Sequence, residues 1–176
     1  MNRKPILLLL GGFQGSGKTT TVELIRKNID LLIISPDEIR YQLFAKKMPF
    51  GEKFVNTVEE TRNKLLKEAI KTKRDIVIDQ RVTPPRILAA KEIIKNSDYQ
   101  LKIVFLKTPE EVLINRVTNR AEIQGKYKGT VDELKACLQE DRKLDLSLYD
   151  FVIDSNKHSP SEVAKKIIEE VWTKAI

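Results

Sequence analysis

The stretch ILLLLGGFQGSGKT, residues 6–19, decides the fold class of this chain. Its first five residues are apolar without alternation, which predicts a β-strand covered on both faces, as in a parallel sheet. The residues that follow have the spacing Gly-x-x-x-x-Gly-Lys-Thr of a loop that wraps its backbone N–H groups around phosphate. Because this loop joins a predicted strand to a predicted helix, we expect it to bind a nucleoside triphosphate at the helix N-terminus.

The residue types of the loop each have a chemical reason. Glycines permit the tight turn and the close approach of backbone to phosphate. Lys18 can bridge the β- and γ-phosphates, and Thr19 can supply an oxygen ligand to Mg²⁺. An ordinary glycine turn before a helix needs neither side chain. The predicted nucleotide-binding residues are Gly12, Gln14, Gly15, Ser16, Gly17, Lys18, Thr19 and Thr20.

Short apolar runs alternate with longer amphipathic stretches along the rest of the chain. Predicted strands span Pro5–Gly11, Leu31–Ser35, Asp75–Asp79, Gln100–Leu106 and Phe151–Asp154. Predicted helices span 18–29, 36–46, 52–73, 84–96, 109–120, 130–143 and 160–173. This alternation is typical of a doubly wound α/β domain with helices on both faces of a parallel sheet.

Three predicted helices begin with the pattern of a capping box that has proline at the first helical position. The three segments are Ser35-Pro36-Asp37-Glu38, Thr108-Pro109-Glu110-Glu111 and Ser159-Pro160-Ser161-Glu162. Each pattern marks the junction between a strand and the following helix.

The composition indicates one globular domain over residues 1–176, with 41% hydrophobic and 32% charged residues. A polar, glycine-containing insertion at about 116–130 interrupts the helices and could move. No apolar run approaches the roughly 20 residues that span a bilayer, and we expect a cytoplasmic protein without membrane contact. The single cysteine, Cys137, excludes an intrachain disulfide, and neither it nor the single histidine, His158, is given a role.

The net charge of +7 is compatible with an anionic partner, nucleic acid included. A solvated helix face explains it equally well, since Lys64, Lys67 and Lys71 alternate with Glu60 and Glu68. Charge alone therefore leaves nucleic-acid binding open.

Polar residues directly after the strands are candidates for a second substrate, because ligands of open parallel sheets bind at the carboxyl ends of the strands. Asp37 can act as general base for an attacking hydroxyl, and Arg40 can hold an anionic part of the acceptor. The alternative for Asp37 is a structural one, since an aspartate in the first helical turn also favours the helix dipole.

Two further sets of charged residues fit the same site. Asp79 ends a strand and can hold Mg²⁺ or orient Thr19, although it can also simply cap the next turn. Arg116 and Arg120 lie four residues apart and can neutralise phosphate charge in the cleft. As an alternative, the helix dipole favours arginines at a helix C-terminus without any substrate.

Together these motifs resemble the small P-loop kinases with an AAA-type ATP-binding domain, a group that includes polynucleotide 5′-hydroxyl kinases and zeta-toxin-like phosphotransferases. The resemblance covers most of the chain and implies a three-layer αβα sandwich with a five-stranded parallel sheet in the order 2-3-1-4-5. It also implies the use of ATP and Mg²⁺, with the loop after the last strand near the adenine.

By the same resemblance, Asp37-Glu38-Ile39-Arg40 matches the Asp-x-x-Arg of the group, which implies Asp37 as base and Arg40 as acceptor contact. Asp79 with Arg86 matches its strand-ending aspartate and downstream arginine, and Arg116 with Arg120 matches its lid arginines.

One departure concerns the acceptor. Polynucleotide kinases of this group usually have threonine and asparagine after the third-strand aspartate, where this chain has Gln80 and Arg81. The added charge of Arg81 favours a phosphorylated or otherwise anionic acceptor, and Arg81 and Arg86 are the candidate contacts to it.

The leading hypothesis is thus an ATP-dependent phosphotransferase that moves the γ-phosphate to a hydroxyl of a nucleic-acid 5′ end or a small molecule. A switch or binding module that hydrolyses ATP without an acceptor is the alternative, and an ATP-dependent nucleic-acid-binding protein is a third. A GTPase switch is disfavoured, because no Asp-x-x-Gly occurs and Asn156-Lys157 is not followed by the aspartate that reads guanine.

Overall fold

The computed structural model describes residues 3–44, 52–120, 129–140 and 145–174. Its sheet has five strands, all parallel, in the order β2-β3-β1-β4-β5, as predicted. The strands are β1 (Ile6–Gly12), β2 (Leu31–Ile34), β3 (Asp75–Asp79), β4 (Gln100–Lys107) and β5 (Phe151–Asp154).

Helices cover the two faces of this sheet. They are α1 (Lys18–Arg26), α2 (Pro36–Phe44), α3 (Glu52–Ala69), α4 (Pro84–Ile94), α5 (Glu110–Asn119), α6 (Val131–Glu140) and α7 (Pro160–Ile168). Short 3₁₀ turns lie at Ile70–Thr72 and Leu146–Leu148, and a π-helical turn at Glu169–Thr173 extends α7. No helix in these ranges is long and apolar enough to cross a membrane.

Strand β1 lies at the centre of the sheet and is buried along its whole length. Because neighbouring side chains point to opposite faces, Leu7 and Leu9 belong to one hydrophobic core and Leu8 and Leu10 to the other. The unbroken apolar run is therefore explained by burial on both faces.

The parallel register brings the carboxyl ends of the central strands to one edge. Leu10 of β1 pairs with Asp79 of β3 on one side and with Val104 of β4 on the other. The phosphate-binding loop begins two residues after Leu10, so it opens beside the end of β3.

A buried carboxylate ties the opposite edge together. Asp75 accepts hydrogen bonds from Arg3 Nη2 at 2.6 Å, from the backbone N–H of Ile6 at 2.7 Å and from Trp172 Nε1 at 2.7 Å. These bonds connect β3 to both ends of the chain, and they satisfy a charge that would otherwise be costly to bury.

The structure confirms some of the predicted capping boxes at helix starts and not others. Ser159 and Glu162 form the full capping box of α7, and α2 begins at Pro36 with the backbone N–H of Glu38 3.4 Å from Ser35 Oγ. The box predicted at Thr108 is wrong, because α5 begins at Glu110 with Pro109 as its N-cap residue and without a side-chain cap.

The Thr108 hydroxyl lies instead 2.6 Å from Ser155 Oγ, beyond the end of β5. A partner from the turn after β5 thus replaces the local one. Most of the insertion predicted at 116–130 lies outside the described residues, since α5 continues to Asn119 and the description resumes at Gly129.

Candidate active site

The phosphate-binding loop joins β1 to α1 and holds glycines in conformations that other residues rarely adopt. Gly15 and Gly17 have φ angles of 82° and 93°, in the region that favours glycine. Gly17 directly precedes α1 as its N-cap residue. The free N–H groups of the first helical turn therefore adjoin the loop, which creates an anion-binding end of the helix.

Two side chains from the start of α1 complete the loop. Lys18 Nζ donates to the backbone carbonyl oxygen of Phe13 at 3.1 Å. Thr19 Oγ1 donates to Asp79 Oδ2 at 2.7 Å, which joins α1 to the end of β3. Hydroxyl and carboxylate oxygens are ligands that Mg²⁺ prefers, so this pair could hold the predicted ion.

Asp37 lies in the first turn of α2 and lines the same cleft. The residue is exposed at its surface, although protein atoms crowd around its carboxylate. This burial, followed by the nearby charge of Asp79, raises the pKa of Asp37 above its ordinary value. Lys18, Arg40 and Arg120 oppose the increase by favouring the charged form.

A raised pKa suits a general base, because proton transfer is most effective when the pKa of the base lies near the working pH. The arrangement of Asp37 beside Lys18 and Asp79 places a proton acceptor next to the residues that would bind the phosphates.

Arg116 and Arg120 reach this cleft from the C-terminal end of α5. Arg116 Nη1 donates to the carbonyl oxygen of Gly15 at 3.2 Å, and Arg120 Nη2 donates to that of Gly129 at 3.1 Å. Arg120 Nε is buried and has no hydrogen-bond partner among the described residues. Both side chains thus lie where their charge can offset that of phosphate.

The cleft has a volume of about 470 Å³, a size that suits a small ligand. From the loop it extends to the segment after β5, where Ser155, His158, Pro160 and Val163 line it. His158 was given no role from the sequence. Its position after the last strand, at the carboxyl edge of the sheet, was the signal that could have identified it.

The two arginines predicted to contact an acceptor have protein partners. Arg81 Nη1 lies 2.8 Å from Glu140 Oε2 on α6. Arg86 Nη2 lies 2.6 Å from Glu59 Oε1 on α3, and its Nη1 donates to the carbonyl oxygen of Arg81 at 2.5 Å. The acceptor roles of Arg81 and Arg86 stay predictions.

A buried polar network beside β3 has no counterpart in the sequence argument. Arg62 on α3 is only 3% exposed, and its Nη1 donates to Gln80 Oε1 and to Glu59 Oε2, both at 2.7 Å. Glu59 therefore lies between Arg62 and Arg86. In the sequence, Arg62 lies among charged residues of a helix that we expect to face solvent. No local pattern therefore indicates its burial.

Comparison with known proteins places this geometry in a family. The sequence model of the family described as "AAA domain" matches residues 7–140, which include the loop, Asp37, Asp79 and both cleft arginines.

Individual proteins are similar over nearly the whole chain. The shikimate kinase of Thermodesulfovibrio yellowstonii is 29% identical over 174 residues, which cover 93% of each chain. The cytidylate kinase of Methanopyrus kandleri is 25% identical over 179 residues, 89% of this chain and 88% of its own. The crystal structure of Acinetobacter baumannii shikimate kinase in complex with shikimate shares the fold, with a TM-score of 0.63, 21% identity and coverage of 97% and 94%.

Proposed function

We infer the acceptor from the premise that this chain belongs to the AAA domain family and is a P-loop kinase that uses ATP. We propose that the acceptor is a small anionic molecule and that Asp37 is the base that takes its proton. The observation that carries this proposal is the position of Asp37. Its carboxylate, with a raised pKa, lines the same cleft as Lys18 and the cleft arginines. A hydroxyl bound there could lose its proton to Asp37 as it attacks the γ-phosphate.

The nucleotide site follows from the same residues. Backbone N–H groups at the start of α1 and the Lys18 ammonium would bind the phosphates. Thr19 and Asp79 would hold Mg²⁺, which when bound supplies neutralisation of phosphate charge. The fit of this ion rests on the oxygen pair at 2.7 Å, a hydroxyl and a carboxylate at the phosphate end of the cleft. Arg116 and Arg120 would neutralise charge as it develops on the transferred group.

The anionic character of the acceptor is supported by charge around the proposed base. Arg40 interacts with Asp37 through its charge, and it lies three residues further along the same helix, so it can bind an anionic group of the molecule whose hydroxyl faces Asp37. Two relatives are named for the anions shikimate and cytidylate, and this naming agrees with the proposal.

A labelled-phosphate assay tests the acceptor class directly. ATP labelled in its γ-phosphate is supplied with pairs that differ in charge: shikimate and its methyl ester, and cytidine monophosphate and cytidine. Oligonucleotides with a 5′-hydroxyl test the nucleic-acid alternative. We expect the label on a hydroxyl oxygen of the anionic member of at least one pair, in preference to its neutral partner, and Arg40→Ala to reduce that preference. Label on the phosphate of cytidine monophosphate would instead show phosphate-to-phosphate transfer, which needs no base at Asp37.

Label found only as free phosphate with every compound would favour the alternative, an ATP-hydrolysing switch. Equal labelling of charged and neutral members, or selective labelling of the oligonucleotides, would refute a small anionic acceptor while leaving the kinase assignment intact.

A further inference from the structure

The side chain of Gln14 packs against a glycine from a distant part of the chain. A Cβ atom at Gly129 would lie 2.2 Å from Gln14 Oε1, 2.3 Å from its Nε2 and 2.4 Å from its Cδ, distances that no real Cβ tolerates. The space that a side chain at Gly129 would need is therefore filled by the side chain of Gln14.

Gly129 is held in place by the helix that follows it. Thr130 and Glu133 form reciprocal bonds at the start of α6: the Thr130 N–H donates to Glu133 Oε2 at 2.7 Å, and the Glu133 N–H donates to Thr130 Oγ1 at 3.2 Å. Leu134, fully buried, packs on Leu113 of α5. Gly129 thus has a defined position relative to both helices.

The phosphate-binding loop rests on the same pair of helices. Phe13 packs against the small core between α5 and α6, and the carbonyl oxygen of Gly15 accepts the bond from Arg116. Gln14 lies between these two residues, so its side chain is directed toward the helices while its backbone remains part of the loop.

Arg120 reaches the same glycine from the other side. It is the C-cap residue of α5, with φ of −72° and ψ of 140°, where the chain has left the helix and no longer constrains the side chain. Its anchor at this point is the bond from Nη2 to the carbonyl oxygen of Gly129. Gln14 and Arg120 therefore meet at one residue.

Each of these two side chains has a buried polar atom without a partner. Gln14 Oε1 is an acceptor and Arg120 Nε carries a donor hydrogen, and neither has a partner among the described residues. Unpaired buried polar atoms are rare in folded proteins. The two atoms do not bond to each other, so the link between the side chains is Gly129, which both of them contact.

We propose that Gln14 is a positioning residue, whose side chain, seated on Gly129, holds the guanidinium of Arg120 at the nucleotide phosphates. The part assigned to Arg120 rests on the proposed function. The role of Gln14 goes beyond the loop motif, in which only the backbone of this residue is required to bind phosphate.

The first test asks whether Gln14 acts through Arg120. Release of phosphate from Mg²⁺-ATP without acceptor is measured for Gln14→Ala, Arg120→Ala and the double variant, and binding of a non-hydrolysable ATP analogue by calorimetry. We expect Gln14→Ala to lower turnover about tenfold, because a misplacement of about 1 Å can cost up to about 10²-fold. Affinity for the analogue should change little, because the backbone N–H groups remain.

In the Arg120→Ala background, the Gln14→Ala change should cost nothing further. An equal loss with and without Arg120, or no loss from Gln14→Ala alone, overturns the proposal. Lys135→Ala, an exposed change on α6, is the control and should retain the turnover of the parent protein.

A second double-mutant cycle tests the contact between Gln14 and Gly129. In Gly129→Ala the new methyl group displaces the end of the flexible Gln14 side chain, so turnover should fall as in Gln14→Ala while the fold is retained. In the Gln14→Ala background the methyl group has room, and Gly129→Ala should add no loss. Additive losses would show that Gln14 and Gly129 act separately and would overturn the proposal.

Failure of the positioning role is distinguishable from failure of the proposed function. If the parent protein binds the analogue and releases phosphate but the cycles are additive, only the role of Gln14 is wrong. If the parent protein neither releases phosphate without acceptor nor transfers it to any acceptor, the proposed chemistry of the cleft fails first.

Discussion

Asp37 is the residue whose chemistry depends most on its neighbours. Burial by protein and, after it, the carboxylate of Asp79 favour its neutral form, whereas three cations favour its charged form. Burial and the charge of Asp79 outweigh the three cations, so the pKa of Asp37 is raised. A carboxylate in this environment can take up a proton closer to neutral pH than an exposed aspartate can.

We predict that phosphate transfer falls as the pH decreases through a pKa above the ordinary value of about 3.9. The sign follows from the role of the base, because only the deprotonated carboxylate accepts the proton of the hydroxyl. Arg120→Ala removes a cation that favours the carboxylate, so the acidic limb of the kcat profile should move to higher pH. A limb that stays in place in this variant would contradict the electrostatic link.

The same role predicts a large loss for Asp37→Asn. Removal of a general base typically costs about 10²–10⁴-fold in rate, while binding of the ATP analogue should be nearly preserved. Asp98→Asn, at an exposed position, serves as the control. Transfer that survives within a few-fold in Asp37→Asn would mean that another group takes the proton.

At the scale of elements, α3 is attached to the end of β3 by charge as well as by apolar packing. Arg62 of α3 is nearly fully buried, and burial lowers its pKa, an effect that Glu59 opposes and the neighbouring Arg86 reinforces. Glu59 is shared between both guanidinium groups. It is the anion that makes the proximity of the two cations tolerable.

We therefore predict that Glu59→Gln lowers the free energy of unfolding by about 2 kcal/mol. This is less than the roughly 3–5 kcal/mol for breaking a fully buried ion pair, because Glu59 is 22% exposed. Urea unfolding measures the difference. Glu60→Gln, its exposed neighbour on the same helix, should remain within about 0.5 kcal/mol of the parent protein, and equal losses in the two variants would contradict the shared-carboxylate interpretation.

At the scale of the whole molecule, the strand order couples nucleotide binding to folding. The order β2-β3-β1-β4-β5 brings the loop after β1 beside the end of β3, which supplies Asp79, while α2, which follows β2, supplies Asp37. The residues of the cleft come from segments far apart in the chain, so the site exists only when the sheet is assembled.

A ligand that binds only the folded state must then stabilise the entire domain. With the Mg²⁺-loaded ATP analogue at 100 times its dissociation constant, we predict an increase of about 2.7 kcal/mol in the free energy of unfolding. Lys18→Ala and removal of Mg²⁺ with a chelator should each reduce this increase at the same concentration. Lys27→Ala, an exposed lysine just after α1, should retain it, and an equal loss there would point to general charge effects.

Features that depend on short stretches of chain were predictable from the sequence. Strands β3 and β5 have the predicted bounds. The strand order and the ATP-dependent kinase class, which the family resemblance implied, also agree with the structure and the comparisons. The capping box at Ser159 was also predictable, because its partners are three residues apart. The box at Thr108 has the same local pattern but failed, since Ser155, in the turn after β5, competes for the hydroxyl.

The sequence by itself determined the phosphate-binding loop, the parallel sheet and the residues available at its carboxyl edge. Only the tertiary structure decided that Arg62 is buried, that Arg81 contacts Glu140 and that Gln14 rests on Gly129. The physical reason is range: periodicity, glycine spacing and capping express interactions within a few residues. Burial and contact between distant segments depend instead on how the completed elements pack, and no local pattern records that packing.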